Sequence, residues 1–325
     1  MNKLSTQLLD KWIGGITDLP GAIIIFGPTA CGKTALSLEI AQYMRSKVIS
    51  ADSRQIYRGL DIGTGKILPN QMRGVSHEML NVIDIDQVFS AGDFAQRSLQ
   101  IIARENQIGS IPVIVGGTGL YIDMLLYGAS THSWKADPDY RDSLQKILDQ
   151  EGSEVLYEKL TQIDPASAAT LDHRNTRYVM SALEYFYATG QSKSGAYIPE
   201  RVARLDTFFI TPYQDNPENR KQLYIKIDQR VNEMFDTGLL EEYDAMVEKF
   251  GSDAPGLNTI GYKECGMFRR GEIASYSELI DLVAQKNRNY AKRQITWNKR
   301  YDKFDPAIIL SSISSSQIST GNPIE

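Results

Sequence analysis

The chain has 325 residues, 42% of them hydrophobic and 23% charged, a length that suggests about two domains and a balance that excludes disordered, collagen-like and fibrous classes. With 35 basic residues against 40 acidic ones the net charge is −5, so a polyanion must be met by a local basic surface rather than by bulk charge. Two cysteines and three scattered histidines are too few for a disulfide scaffold or a zinc cage and suit a reducing compartment.

Residues 1–20 read as a short amphipathic extension, and no apolar run approaches the ~20 residues that span a bilayer; a soluble, cytoplasmic protein without a membrane segment is expected. The apolar run at 21–26 predicts a strand, followed by a glycine-rich turn and a helix over ALSLEIAQYMR. Further strands are expected at 48–50 and 81–85, and IPVIVGG (111–117) reads as the most continuous buried strand. AGDFAQRSLQIIARENQ has helical periodicity. Short apolar strands alternating with helices predict an α/β fold with a parallel, helix-covered sheet.

From 129 to 200 no strand is visible. DPDYRDSLQKILDQEG, EVLYEKLTQI and NTRYVMSALEYFYATG read as successive helices, so an all-helical domain interrupts the sheet domain before a last strand at 207–211. The segment from Glu218 to Phe250 predicts one long or two abutting helices, and ASYSELIDLV opens another that runs to about Tyr301. The expected organisation is an extension (1–20), a core (21–128 and 201–310), an inserted helical domain (129–200) and a frayed, serine-rich tail (311–325).

The strongest motif is Gly27-Pro28-Thr29-Ala30-Cys31-Gly32-Lys33-Thr34, a full GxxxxGK[ST] pattern between a buried strand and a helix. Backbone N–H groups and the helix N-terminus would wrap a phosphate, Lys33 would reach the outer phosphate, and the Thr34 hydroxyl would ligate Mg²⁺. A chance glycine-rich turn is the bland alternative. Asp52, at a strand end facing that loop, suits a general base or the holder of a magnesium-bound water, although Asp also caps helices. Gly116-Gly117-Thr118-Gly119 follows the strand at 111–115 and lets backbone approach a ligand. Cys31 reads as a small inert residue of the loop, and His77 as a packing histidine.

GPTACGKT, DSRQIYRGLDIGTGK, GGTGLYI and TIGYKE (259–264), in this order and at these separations, resemble the tRNA dimethylallyltransferases, over roughly residues 21–300. The resemblance implies a P-loop core with an inserted helical domain. It also implies transfer of the dimethylallyl group of dimethylallyl diphosphate to N6 of the adenosine 3′ of the anticodon, with diphosphate released. It gives Asp52 the role of base, places Thr118 near the reacting amino group, and puts Arg230 and Lys226 of LYIKIDQRV at the diphosphate. Lys226 stands where the family usually has arginine. The implied tRNA contacts are Asp52, Ser53, Arg54 and Gln55 at the target base, with Arg141, Arg177, Tyr178, Val179, Met180 and Ser181 from the insertion. Tyr178 and Ser181 occupy positions where arginines are common.

Between Lys286 and Lys303 seven basic residues (Lys286, Arg288, Lys292, Arg293, Lys299, Arg300 and Lys303) face one acid, Asp302, with Tyr290, Trp297 and Tyr301 among them. That pattern fits a surface that pairs with phosphates and stacks on bases, and equally a solvated basic face with core aromatics. The expected partners are a tRNA anticodon stem-loop and dimethylallyl diphosphate, with Mg²⁺ as cofactor and no obligate protein partner. Alternatives are an adenylate isopentenyltransferase acting on free nucleotides, a P-loop small-molecule kinase, and a nucleotide-dependent binding protein.

Overall fold

The computed structural model describes residues 13–15, 20–128, 137–194, 203–301 and 308–309. These residues divide into two compact units, one drawn from residues up to 126 and from 203 onward, the other from 127–202. Among them, six parallel strands form one sheet: β1 (Gly21–Phe26), β2 (Val48–Ser50), β3 (His77–Glu78), β4 (Val113–Gly116), β5 (Asp206–Thr211) and β6 (Ile308–Ile309), in the order β3-β2-β4-β1-β5-β6.

Central β1 is buried along its whole length. Alternate residues Ile23 and Ile25 pack with Leu36, Leu38 and Ile40 of helix α1 (Lys33–Met44) and with Val113 and Phe208 of the flanking strands. Each such side chain taken from water stabilises the fold by about 1.5–3 kcal/mol. On the alternate register, Phe26 meets Phe209 and Tyr301 edge-on, and Tyr301 stacks on Phe209 at 5.4 Å between centroids.

Helix α2 (Ala91–Gln107) starts at a reciprocal cap in which Ser90 and Asp93 each accept the other's backbone N–H. Helix α3 (Gly119–Tyr127) leads out of the sheet. The second unit holds α4 (Pro138–Glu151), α5 (Ser153–Ile163), the short α6 (Pro165–Ala168) and α7 (Thr176–Thr189), around Leu144, Leu156, Leu160, Val179 and Leu183. After β5 come α8 (Pro217–Asp236), α9 (Leu239–Phe250), α10 (Tyr262–Arg269) and α11 (Tyr276–Asn298). They pack around Val231, Phe235, Leu239, Tyr243, Tyr262 and Leu279. No described helix is long and apolar enough to cross a membrane.

Two expectations are corrected. The strand expected at 81–85 is absent: Met79 and Asn81 have positive φ (64° and 53°), which breaks the extended chain, and only a Tyr57–Ile83 bridge remains, while the ladder forms at His77–Glu78. The segment 111–117 contributes four paired residues rather than the longest buried strand, because Pro112 has no N–H to give and serves only as acceptor for Ile23. Of the one long or two abutting helices expected after β5, the structure has two, separated at Gly238, whose φ of +105° suits glycine. Residues 311–325 and Lys303 lie outside the described residues.

Candidate active site

The Gly27–Thr34 motif bridges β1 and α1, at the carboxyl edge of the sheet where ligands of such sheets bind. Gly27 has φ +149°, Ala30 +60° and Gly32 +91°, so the loop turns back on itself. Lys33 Nζ donates to the Pro28 carbonyl at 2.6 Å. Burial pushes the Cys31 thiol up, opposed by Lys33 and Lys226, and Sγ sits where a Cβ on Gly27 would reach.

A cavity of about 460 Å³ opens over this loop, bordered by residues 29–34, Asp52, Gln55, Lys66 and Arg230. Beside it lies a second cavity of about 240 Å³, walled by Ile227, Val231, Met234 and Ile260 with the amides of Asn258 and Asn287. Ser53, Arg54 and Arg293 also border the second cavity. Thr29, Asp52, Thr64, Arg230 and Tyr290 border both.

Asp52 caps no helix. Its Oδ1 accepts the Arg54 N–H at 2.8 Å, closing a turn that leaves the rest of the carboxylate toward the cavities. Thr118 Oγ accepts the Ser53 N–H at 3.1 Å, which ties the GGTG loop to the Asp52 turn. The Tyr290 hydroxyl interacts with Thr118 and Gln294, and burial together with the nearby Asp52 pushes its pKa up to about 12. It therefore remains a neutral donor. Gln55 turns inward, accepting from Ser50 Oγ and donating to the carbonyls of Thr64 and Gly65.

Arg230 donates to Thr29 Oγ at 3.3 Å and to the Gly65 carbonyl at 3.2 Å. Burial lowers its pKa, opposed by Asp52 and Glu233. Lys226, one turn earlier on α8, is exposed and borders neither cavity. The two basic residues that the sequence pairs thus differ in placement.

Several site residues carried no signal in sequence spacing. The Gln294 side chain, in a residue 5% exposed, accepts the Thr29 N–H through Oε1 at 2.8 Å and donates to the Gly117 carbonyl through Nε2 at 3.0 Å. A Cβ on Gly117 would overlap that carboxamide, and one on Gly119 would overlap Trp297. The Glu242 carboxylate accepts the backbone N–H groups of Asp61, Ile62 and Gly63 and the Tyr262 hydroxyl. It anchors the loop whose Gly65 carbonyl holds Arg230. Lys66 Nζ donates to Tyr57 O, Asp61 Oδ1 and Asn81 Oδ1, and burial lowers its pKa.

The carboxyl-terminal helix is not the uniform RNA-stacking surface its composition allows. Tyr301 is buried against Phe209 and donates to Asp123, while Trp297 lies against Gly119. Arg288 pairs with Asp228, Lys299 with Asp215 and Arg300 with Asp123. Arg293 instead sits 5.5 Å from the Tyr290 ring centre.

In the second unit, Arg141 binds the buried Glu184 carboxylate at 3.1 and 3.2 Å. Val179 and Met180 face that unit's core, which corrects their placement among RNA-facing side chains: helical periodicity turns them inward while Arg177 and Tyr178 stay exposed. His77 Nδ1 lies 3.0 Å from the Val75 carbonyl, a packing arrangement. Among the described residues no group of three or more His, Cys, Asp or Glu side chains forms a metal cage.

A family model described as IPP transferase matches residues 55–301. The chain is 39% identical over 284 residues to the tRNA dimethylallyltransferase of Salinibacter ruber, covering 87% of this chain and 86% of that one. It is 38% identical over 277 residues to the tRNA dimethylallyltransferase of Bacillus subtilis, covering 85% and 86%. Its structure is similar to that of the full-length tRNA isopentenylpyrophosphate transferase of Bacillus halodurans, with TM-score 0.61, 35% identity and coverage of 86% and 87%. It is also similar to a eukaryotic dimethylallyltransferase acting on tRNA, with TM-score 0.70, 26% identity and coverage of 86% and 69%.

Proposed function

We propose that this chain, which belongs to the IPP transferase family, transfers the dimethylallyl group of dimethylallyl diphosphate to N6 of the adenosine 3′-adjacent to the anticodon in tRNA. One observation carries the reading: Asp52, Arg230 and Tyr290 border both a cavity built on a phosphate-binding loop and an adjoining cavity with an apolar wall. Leaving group and acceptor base would meet at that shared border.

The allylic C1–O bond breaks and its electron pair departs with diphosphate, while the N6 lone pair forms the new C–N bond. Negative charge grows on the leaving group, where loop amides, Lys33 and the Arg230 guanidinium would stabilise it. Adenine N6 is a weak nucleophile because its lone pair is delocalised into the ring. Asp52 would accept its proton, and Thr118, fixed by the Ser53 N–H, would orient the amino group. In the second unit, Arg141, Arg177, Tyr178 and Ser181 would contact the RNA.

The donor set suits Mg²⁺ held largely by substrate. The Thr34 hydroxyl is exposed at the cavity, Asp52 borders the same space, and no protein cage is needed for an ion that prefers phosphate oxygens and water. When bound, the ion would neutralise diphosphate charge. Free thiols at Cys31 and Cys265 suit a reducing compartment, and we place the reaction in the cytoplasm.

The test incubates purified protein with dimethylallyl diphosphate, Mg²⁺ and an unmodified anticodon stem-loop, reading diphosphate release and the modified nucleoside by mass spectrometry. Parallel reactions offer AMP, ADP or ATP as acceptor and γ-labelled ATP as donor. Prenylated stem-loop is expected. Transfer only to free nucleotide, or only of the labelled phosphate, would overturn the proposal.

A further inference from the structure

Among the described residues of the unit 127–202, one cation is held in place by a neutral hydroxyl. After α7 the chain turns at Gly190, φ +68°, and residues 192–194 are stapled to the α5–α6 junction. Asp164 there is 2% exposed. Its Oδ1 accepts from Ser192 Oγ at 2.5 Å and the Ser167 N–H at 3.1 Å, and its Oδ2 accepts the Lys193 N–H at 3.1 Å. The Ser194 N–H donates to Ser167 Oγ at 2.9 Å. These bonds fix the Lys193 backbone, and Lys193 Nζ donates to Ser181 Oγ on α7 at 2.5 Å.

A hydroxyl gives the ammonium a neutral partner only. Lys193 forms no ion pair with a described carboxylate: Asp164 already accepts three N–H and O–H donors, and the nearby Glu184 is bound by Arg141. Burial lowers the Lys193 pKa, opposed by Glu184. Ser181 lies one helical turn after Arg177 and Tyr178 on α7. Tyr178 is 61% exposed.

We infer that Lys193, steered by Ser181, is a phosphate-binding cation for the backbone of single-stranded RNA, acting beside Arg177 and the Tyr178 ring. Two cations adjoining an exposed aromatic form the pairing that engages splayed RNA strands, phosphate by charge and base by stacking. The inference rests on the tRNA-acceptor reading and adds to it a residue outside α7. The basic charge near position 181 comes from a following loop, delivered across the helix to a serine.

The test measures affinity for a labelled anticodon stem-loop across a salt series. Lys193→Gln keeps a long polar stem without the charge. It should weaken binding several-fold and lower the slope of log K against log salt by about 0.7–0.9, one phosphate contact, while the single-turnover rate at saturating RNA holds. Lys193→Arg should keep the slope. Tyr178→Ala should weaken binding by roughly ten-fold, within the range for one stacked base, and leave the slope unchanged.

Wild-type affinity and slope in Lys193→Gln would overturn the inference while leaving the tRNA reading standing. Failure of the wild-type protein itself to bind the stem-loop would overturn both. Should Lys193→Gln lower the thermal midpoint, Lys193→Met decides: a wild-type slope there refutes a phosphate contact and a reduced one supports it. Binding of polyglutamate through Lys193 with unchanged RNA affinity would reassign the face to an acidic protein.

Discussion

The Gln294 carboxamide accepts the backbone N–H of Thr29 at 2.8 Å, joining a helix near the carboxyl end of the chain to the Gly27–Thr34 loop, with Thr29 265 positions earlier. Its other end holds the Gly117 carbonyl, so one side chain sets the spacing of two loops that face the cavities. Gln294→Leu fills a similar volume but leaves both backbone groups unpaired, at about 1–3 kcal/mol for each buried unsatisfied group. Urea unfolding should show the loss of stability, and turnover should fall with it. Wild-type values in both measurements would mean that the loops hold their positions alone.

Asp52→Asn separates chemistry from architecture. An asparagine Oδ1 can still accept the Arg54 N–H, so the turn survives while the proton acceptor is lost. Turnover should drop by roughly 10²–10⁴, the usual range for a positioned acid or base, with stem-loop affinity within a few-fold of wild type. Loss of binding with intact single-turnover chemistry would make Asp52 a positioning group.

Arg230 and Lys226 should differ strongly. Arg230→Ala removes a guanidinium that borders both cavities and should lower the single-turnover rate by about 10²–10³, typical of a lost charge-stabilising donor. Lys226→Ala should cost far less, and Lys226→Arg should hold or raise the rate, since a longer planar fork reaches further from an exposed position. Equal losses in the two alanine variants would contradict the geometry.

Gly65→Ala tests the same guanidinium from the opposite side. Gly65 has φ +55° and a Cβ there would overlap Arg230, so the variant should displace the side chain and reproduce much of the Arg230→Ala defect. The left-handed backbone adds a strain of about 1–2 kcal/mol. Diphosphate affinity by calorimetry checks this, with unchanged affinity excluding displacement.

Tyr290 has a definite alkaline signature. Its pKa is raised from 10.0 to about 12, so its contribution to stability is complete below pH 10 and is lost as pH rises through 12. Tyr290→Phe should remove that part of the decline in stability and leave the neutral-pH profile of activity unshifted. Denaturant midpoints measured from pH 7 to 12 in both proteins make the comparison.

The parts of the fold written in local pattern were legible in the sequence. Ala91–Gln107 shows apolar periodicity and a Ser–Asp cap, and the runs at 21–26 and 48–50 are strands because nothing in them resists extension or burial. The segment at 81–85 also carries apolar Val82, Ile83 and Ile85, but Asn81 is taken by Lys66 and adopts a left-handed conformation. For the site, a motif could point to Asp52 and Arg230. Gln294 and Glu242 had no such signal, because each satisfies backbone groups far away in sequence and leaves no periodic trace. Tyr301 sits among basic residues, yet packing on Phe209 decides where its ring goes.

The Gln294 bridge also sets a timetable for synthesis. The ribosome makes Thr29 and Gly117 long before the residue that joins them, and at about 5–20 residues per second the interval from position 29 to position 294 is roughly 13–53 s. Through that interval the emerging chain carries its Gly27–Thr34 motif without its brace, and Phe26 lacks the Tyr301 ring that covers it. A product cut short before the last helix would retain the Gly27–Thr34 motif and lack the contacts that shape it. Competence is thus deferred to the final stretch of translation, so incomplete chains would not compete for substrate with finished ones.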